Sequence, residues 1–408
     1  MAAITAKNLY KVFGKNAEKG VEALKSGSTR EDLREQGLTA AVIDASFEVE
    51  PGEIFVVMGL SGSGKSTLIR MLNGLWDATA GEIYIGDQNL AAMSESELRA
   101  VRRDRISMVF QSFALLPHRT VGENAAYGLE IKGVDKHERE AKAEEALAMV
   151  GLEGWGSSMP DELSGGMQQR VGLARALAAD TDILLMDEAF SALDPLIRKD
   201  MQDQLIDLQA SLNKTIVFIT HDLNEAMRIG DHIAMMRDGR VEQVGTAEEI
   251  LQNPANNYVA NFVKDVDRSR VLNAENIVER PQNTLGINQG PLTAQKLLRE
   301  SQNPWLVVLN ADRTPAGVVW EEDIAKAVRT DNSELPLDST TTHIVQEDQN
   351  IAELFGYAAD TTTPLLVVDS KGKFTGVIPR VTLLAAASSD TNTCLLYTSD
   401  AADEGLGV

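Results

Sequence analysis

Nine consecutive residues, Gly59-Leu60-Ser61-Gly62-Ser63-Gly64-Lys65-Ser66-Thr67, are of the types needed to hold a phosphate. They match the pattern G-x-x-x-x-G-K-S in full. The glycines Gly59, Gly62 and Gly64 let the backbone wrap an anion. The N–H groups of the loop, with Ser61 and Ser63 in it, and of the helix start that carries Thr67, then face negative charge. Lys65 is spaced to reach β- and γ-phosphates, and the Ser66 hydroxyl to ligate Mg²⁺. A second chemical feature is Asp187-Glu188, two carboxylates at the end of the apolar run Asp182–Met186. Strand alternation should aim them differently. Asp187 suits Mg²⁺, and Glu188 suits polarising an attacking water. Gln111 and His221 also end apolar runs. Each taken alone is an ordinary strand-end polar residue, although Gln111 could touch the metal or the water. Ser164-Gly165-Gly166 puts a hydroxyl and two glycines at a helix start. That is either a second anion-binding surface or a plain N-cap.

The elements that must place these residues alternate between strand and helix. Ile4–Phe13 reads as an edge strand, and Phe13 at its end could stack on a base or simply belong to the sheet. Residues 15–38 read as a polar, helix-prone insertion with Ser28-Thr29-Arg30-Glu31 as a capping box and Gly37 as a stop. Strand character returns over 41–58, and Ile54–Met58 leads directly into the phosphate loop. Leu68–Leu72 continues from the loop as helix, which is the strand–loop–helix context the motif needs. A charged helix is expected over Ser94–Arg105 and a strand over Ile106–Phe110. Helices over 120–155 would bury Ala141, Ala146, Leu147 and Val150. A strand over Ile216–Thr220 ends at His221, and 233–244 forms a hairpin about Asp238-Gly239. This alternation predicts an α/β sheet domain over about the first 260 residues.

Composition narrows the function further. A chain of 408 residues with 43% hydrophobic content has room for two or three domains. No apolar run approaches the roughly 18–20 residues of a membrane span. The N-terminus lacks the apolar core of a secretory signal, so a cytoplasmic protein is expected. The net charge of −23 argues against a nucleic-acid partner. Cys394 is the one cysteine, which leaves no disulfide framework.

Taken together and in this order, the motifs resemble the ATP-binding subunit of an ABC transporter over residues 1 to about 265. The resemblance implies an ABC-type P-loop NTPase domain with a helical subdomain, ATP and Mg²⁺ as ligands, and a head-to-tail homodimer. It implies that ATP lies between Lys65 of one subunit and Ser164-Gly165-Gly166 of the other, with Gln168 completing the signature and Asp194 also at the nucleotide. Phe13 would stack on the base, and Gln111 would link nucleotide state to the membrane subunit. Glu188, His221 and Lys65 would carry the hydrolysis, with Ser66, Gln111 and Asp187 at the metal. The Tyr10-to-Gly14 start with its insertion at 15–38, Gln111-Ser112-Phe113-Ala114-Leu115-Leu116-Pro117-His118 and Glu188-Ala189-Phe190-Ser191-Ala192-Leu193-Asp194-Pro195-Leu196-Ile197-Arg198 are similar to the glycine betaine/proline betaine importer ATPases. That family implies a separate integral membrane permease, an extracytoplasmic substrate-binding protein, and a place on the cytoplasmic face of the inner membrane. Alternatives are a related ATPase for another small solute such as an amino acid, and a soluble ABC ATPase outside transport.

The last third contains a repeat. Leu306-Val307-Val308-Leu309-Asn310 with Gly317-Val318 recurs as Leu365-Leu366-Val367-Val368-Asp369 with Gly376-Val377. Each unit reads as strand, turn, strand and short helix, over 321–328 and 381–387. The pattern is similar to a tandem CBS pair, a smaller α/β domain over 282–392 joined by a linker at 266–281. Such pairs bind adenosine nucleotides through an Asp, matched by Asp323 in the first unit but replaced by Thr382 in the second, and Trp320 stands where a small hydroxyl residue is usual. Acidic residues outnumber basic ones here, which disfavours a lipid-facing ionic-strength sensor. Residues 393–408 resemble a translated sequencing adapter and are expected to be a non-native tail.

Overall fold

The computed structural model describes residues 1–387, apart from 192, 265–267, 282, 302, 339–340 and 362. The suspected tail lies outside the described residues. The chain divides into two compact units, Met1–Val263 and a second beginning at Lys264.

The first unit holds two sheets. One is antiparallel, in the order β2–β1–β4–β5, with β1 Ile4–Phe13, β2 Thr39–Val49, β4 Ala80–Ile85 and β5 Gln88–Asn89. The expected edge position of β1 is corrected: β1 pairs with β2 on one side and β4 on the other. Its run of buried residues, Ile4, Ala6, Leu9, Tyr10 and Val12, reflects those two neighbours. The other sheet has the order β10–β9–β3–β8–β7–β6. Its strands are β3 Ile54–Met58, β6 Ile106–Val109, β7 Ile183–Asp187, β8 Thr215–Thr220, β9 His232–Arg237 and β10 Arg240–Gly245. Strands β9, β3, β8, β7 and β6 run parallel, and β10 returns antiparallel through the Asp238-Gly239 turn. Both turn residues have positive φ, 48° and 85°, as a two-residue hairpin requires. β3, β7 and β8 are buried at every residue and almost wholly apolar, because both of their faces are covered. The core between the sheets includes Phe47 stacked on Phe55 at 5.1 Å, with Leu68, Leu72, Val217 and Ile219.

Two helices, α1 Ala17–Lys25 and α2 Arg30–Glu35, form the insertion. Val21, Leu24, Leu33 and Leu38 pack with Tyr10, Val12, Ala40 and Ile43, so the insertion has its own apolar anchor on β1 and β2. The capping box falls one residue later than the sequence suggested: Thr29 caps Asp32, whose carboxylate accepts from the Thr29 N–H. A shorter Asp serves where Glu31 was expected.

The helical subdomain comprises Val121–Ala125, Tyr127–Ile131, Lys136–Met149 and Gly165–Ala178. Its buried face carries Ala143, Ala146, Leu147 and Val150. Ala141 is exposed, because Ala143 rather than Ala141 keeps three- and four-residue spacing with Ala146, Leu147 and Val150.

The second unit contains two similar three-stranded sheets. They are β11 Thr284–Gly286, β12 Trp305–Leu309, β13 Pro315–Trp320, and β14 Ile344–Gln346, β15 Leu365–Val368, β16 Phe374–Ile378. Each repeat is longer than the sequence reading allowed. A short leading strand pairs parallel with the second, and a helix, Pro291–Glu300 or Ile351–Asp360, connects them. Three-residue strands with one buried residue each carry too little pattern to be read. Trp305, Val307, Leu309 and Val318 of one sheet share a core with Leu366, Phe374 and Val377 of the other. The segment expected as a linker is packed structure over 272–279. Ala274 is fully buried, and Glu279 exchanges backbone hydrogen bonds with Val377 at 2.8 and 2.9 Å.

Candidate functional site

The phosphate loop joins β3 to the helix α3 Lys65–Leu72. Gly59 and Gly64 lie at φ +154° and +105°. A Cβ at Gly59 would collide with the Met236 carbonyl oxygen, and one at Gly64 with that of Ala41. Only glycine fits, because the loop is pressed between β2 and β9 with its backbone in conformations other residues rarely adopt. Gly62, at φ +80°, has open space on its Cβ side, and its flanking Ser61 is exposed.

Lys65 is buried, and its Nζ donates to the carbonyls of Gly59 at 2.8 Å and Leu60 at 3.2 Å. Glu188 Oε1 is 3.9 Å away. Burial lowers the pKa of Lys65, against the opposing pull of Glu188 and Asp187. Ser66 Oγ donates to Asp187 Oδ1 at 3.0 Å. Asp187 is itself buried, which raises its pKa, while the Ser66 bond and Arg70, 4.0 Å away, act in the opposite direction. Thr67 is half-buried beside them on the first turn of α3.

Four strand ends converge here, as in open α/β sheets generally. Glu188 follows β7, and its carboxylate stands 3.5 Å from His221 Nδ1 and 3.4 Å from Gln111 Nε2. Strand alternation does not separate it from Asp187. Glu188 has already left the strand at φ +47°, with its N–H on the Ile219 carbonyl at 3.1 Å. A non-glycine residue in that conformation costs energy, and such strain concentrates at functional sites. Gln111 Nε2 also donates to Ser191 Oγ at 3.2 Å, and Ser191 Oγ donates to the Glu188 carbonyl at 2.8 Å.

The remaining expected residues sit around this cluster. Phe13 is partly exposed, packs edge-on against Trp76 at 5.2 Å and carries Lys11 over its ring. Ser164 caps the helix Gly165–Ala178 by accepting from the Met167 N–H, and the first turn meets Ile197 at Gly166. Gln168 Nε2 donates to the carbonyls of Pro160 and Leu163 at 2.9 and 3.1 Å, which fastens the loop leading into Ser164. Asp194 caps the helix Pro195–Leu212 through the Ile197 N–H. Ala192 lies outside the described residues.

Sequence reasoning assigned no role to Arg198. Its guanidinium donates to the carbonyls of Ser191 and Leu193 and lies 3.5 Å from Asp222, tying the segment after Glu188 to the one after His221. It stands at the end of the stretch Glu188–Arg198 that carries the family resemblance, but spacing alone does not show that it folds back onto that stretch.

The chemistry of the donors suits an Mg-nucleotide. Ser66 and Asp187 place a hydroxyl and a carboxylate together, the hard oxygen ligands that Mg²⁺ takes. Ser63 Oγ is buried within the loop without a hydrogen-bond partner. A nucleotide-triphosphate site with a carboxylate, a histidine and a glutamine at its reacting end defines a P-loop ATPase of the ATP-binding cassette class.

Comparison with known proteins agrees. The ABC transporter family model matches residues 42–191. Across 95% of this chain and 93% of its own length, the glycine betaine transport ATP-binding protein OpuAA of Bacillus subtilis is 51% identical. The glycine betaine/proline betaine transport system ATP-binding protein ProV of Escherichia coli is 48% identical over 93% of this chain and 96% of its own. The ATP-binding cassette MJ0796, solved as a dimer in a post-hydrolysis state with ADP and Pi, superposes with a TM-score of 0.51 at 34% identity, over 60% of this chain and 98% of its own. The chain belongs to the ABC transporter ATP-binding family, in the group that includes OpuAA and ProV, and is an ATP-hydrolysing transport subunit.

Proposed function

We propose that this ATPase energises import of glycine betaine and proline betaine through a separate membrane permease. The observation that carries the solute assignment is the extent of similarity to OpuAA and ProV, which runs through both units of the chain. Among the described residues no helix is long and apolar enough to cross a membrane, which fits a chain that borrows its pathway from a partner. We place it on the cytoplasmic face of the inner membrane, held there by that permease and supplied by an extracytoplasmic binding protein.

In this reading the loop 59–67 and the start of α3 grip the phosphates, and Lys65 swings its ammonium from the Gly59 and Leu60 carbonyls toward them. Ser66, Asp187 and Gln111 would hold Mg²⁺, which supplies charge against the phosphate oxygens. Glu188 orients the attacking water and accepts its proton, with His221 and Gln111 holding its carboxylate. Phe13 stacks on the base, and Asp194 positions the segment that follows Glu188. Ser164, Gly165 and Gly166, with Gln168 bracing them, complete the site of a second copy. The dimeric arrangement of MJ0796 supports that pairing. The repeated sheets of 284–378 form a CBS pair that adjusts activity.

The test is ATPase activity of the chain reconstituted with its permease and binding protein, measured with glycine betaine, proline betaine and an amino acid at several salt concentrations. Stimulation by the betaines alone, abolished by Glu188→Gln, is the expected outcome. Stimulation by the amino acid alone overturns the solute assignment and leaves the ATPase intact.

A further inference from the structure

The insertion 15–38 has an apolar anchor and capped helices but no part in the site described so far. Arg30, the first residue of α2, supplies one. Its Nη2 donates to the carbonyl of Gly62, inside the phosphate loop, at 3.2 Å. Its Nη1 meets Asp238 Oδ1, in the β9–β10 turn, at 3.2 Å. The next residue of that turn, Gly239, donates its N–H to the Ser63 carbonyl at 2.9 Å. Two successive carbonyls of the loop, Gly62 and Ser63, are therefore held from outside by one bracket. In a trans peptide the N–H points opposite to the C=O. Holding these carbonyls fixes the planes that carry the N–H of Ser63, which closes the turn on the Leu60 carbonyl at 3.2 Å, and the N–H of Gly64. Gly62, at φ +80° with open space beside it, is the part of the loop with the least steric support of its own.

We infer that Arg30 is a positioning residue for ATP: the insertion, through Arg30 and the hairpin turn at Asp238, pre-sets the phosphate loop in its anion-binding shape. The guanidinium suits this because its two Nη atoms, set apart on a rigid planar fork, reach two separated acceptors at once, whereas an ammonium offers a single point on a flexible stem. Leu33, fully buried one turn along α2, fixes where Arg30 emerges.

The experiment measures KM and kcat for ATP, and equilibrium binding of a fluorescent ATP analogue, on the full chain. Arg30→Ala should raise KM and the analogue's Kd together by about three- to tenfold, the loss of one charge-assisted bond at a half-exposed site, with kcat changed less than twofold. Arg30→Lys, which keeps the charge but spans the two acceptors less well, should fall between. Arg34→Ala removes an exposed arginine from the same helix and should change neither constant. A fall in Tm for Arg30→Ala with unchanged KM and Kd would show that Arg30 only anchors the insertion and would overturn the proposal. Equal effects of Arg30→Ala and Arg34→Ala would reduce it to net charge and overturn it as well. If Arg30→Ala does not fold, Arg30→Lys against Arg34→Ala decides by the same criterion.

Discussion

Residues 59–67 and 164–166 use the same ingredients, hydroxyls and glycines at a helix N-terminus, yet the fold treats them differently. In the first, the glycines occupy positive-φ conformations, and Gly59 and Gly64 are pressed against neighbouring backbone. In the second, Gly165 and Gly166 are ordinary first-turn helical residues, and the nearest obstacle to a Cβ at Gly166 is a side chain, Ile197 Cγ2 at 2.9 Å, rather than backbone. The first is surrounded by Asp187, Glu188, His221 and Gln111 from its own chain. The second has its serine spent on capping and its glutamine on bracing its own loop. One surface is shaped to enclose a ligand, and the other is left flat at a helix start, suited to a ligand already held elsewhere.

That contrast is broken most sharply by mixing chains. Lys65→Ala disables the first surface and Ser164→Arg the second, and each variant alone should lose ATPase activity by a hundredfold or more, on the order of 10² to 10³. Random mixing should restore about a quarter of the wild-type rate, because half of the dimers are mixed and each has one site free of both changes. Absence of recovery would mean that each chain completes its own site.

Stability should separate the two surfaces next. Gly64→Ala forces a Cβ into the Ala41 carbonyl at a positive φ and should cost about 3 kcal/mol or more. Gly166→Ala gains helix propensity at an ordinary helical φ but must displace Ile197, so it should cost about 1–2 kcal/mol, less than Gly64→Ala, while still impairing hydrolysis. Denaturant unfolding of both variants checks this, and equal costs would erase the distinction.

The smallest effect concerns buried charge, found behind the first surface. Glu225 is buried, its carboxylate accepting from Thr220 Oγ1 and from Gln202 Nε2. Burial raises its pKa most, with Asp222 adding to it and Thr220, Gln202 and Arg198 opposing. The folded chain then holds the Glu225 proton more tightly than the unfolded chain. Between the unfolded and folded pKa values this makes stability fall as pH rises. Glu225→Gln should flatten that fall, by no more than about 1.4 kcal/mol per pH unit for one proton. Tm measured from mildly acidic to neutral pH tests the sign, and an unchanged profile would refute it.

Much of this site is legible in one dimension because its chemistry is local. The phosphate loop and the start at Ser164 each put their working atoms within a few residues, so spacing alone states the geometry, while the Asp187-Glu188 pair shows which groups meet but not how they are aimed. The parallel strands could be read because burial on both faces demands unbroken apolar runs. The leading strands β11 and β14 could not, since three residues show no period.

What the tertiary structure alone decided depends on residues far apart in sequence. The sequence determined that a phosphate-binding ATPase with a repeated C-terminal α/β unit would form. Folding decided that β1 lies inside its sheet, that Glu188 turns out of its strand at a positive φ, and that Gln111 and Ser191 meet beside it. It also placed Arg30 on a carbonyl of Gly62 and on Asp238, 208 positions away. A lone arginine has no periodicity to betray its partner. Its contact is set by how α2 packs on β1 and β2, which is a property of the folded core and not of any short stretch of chain.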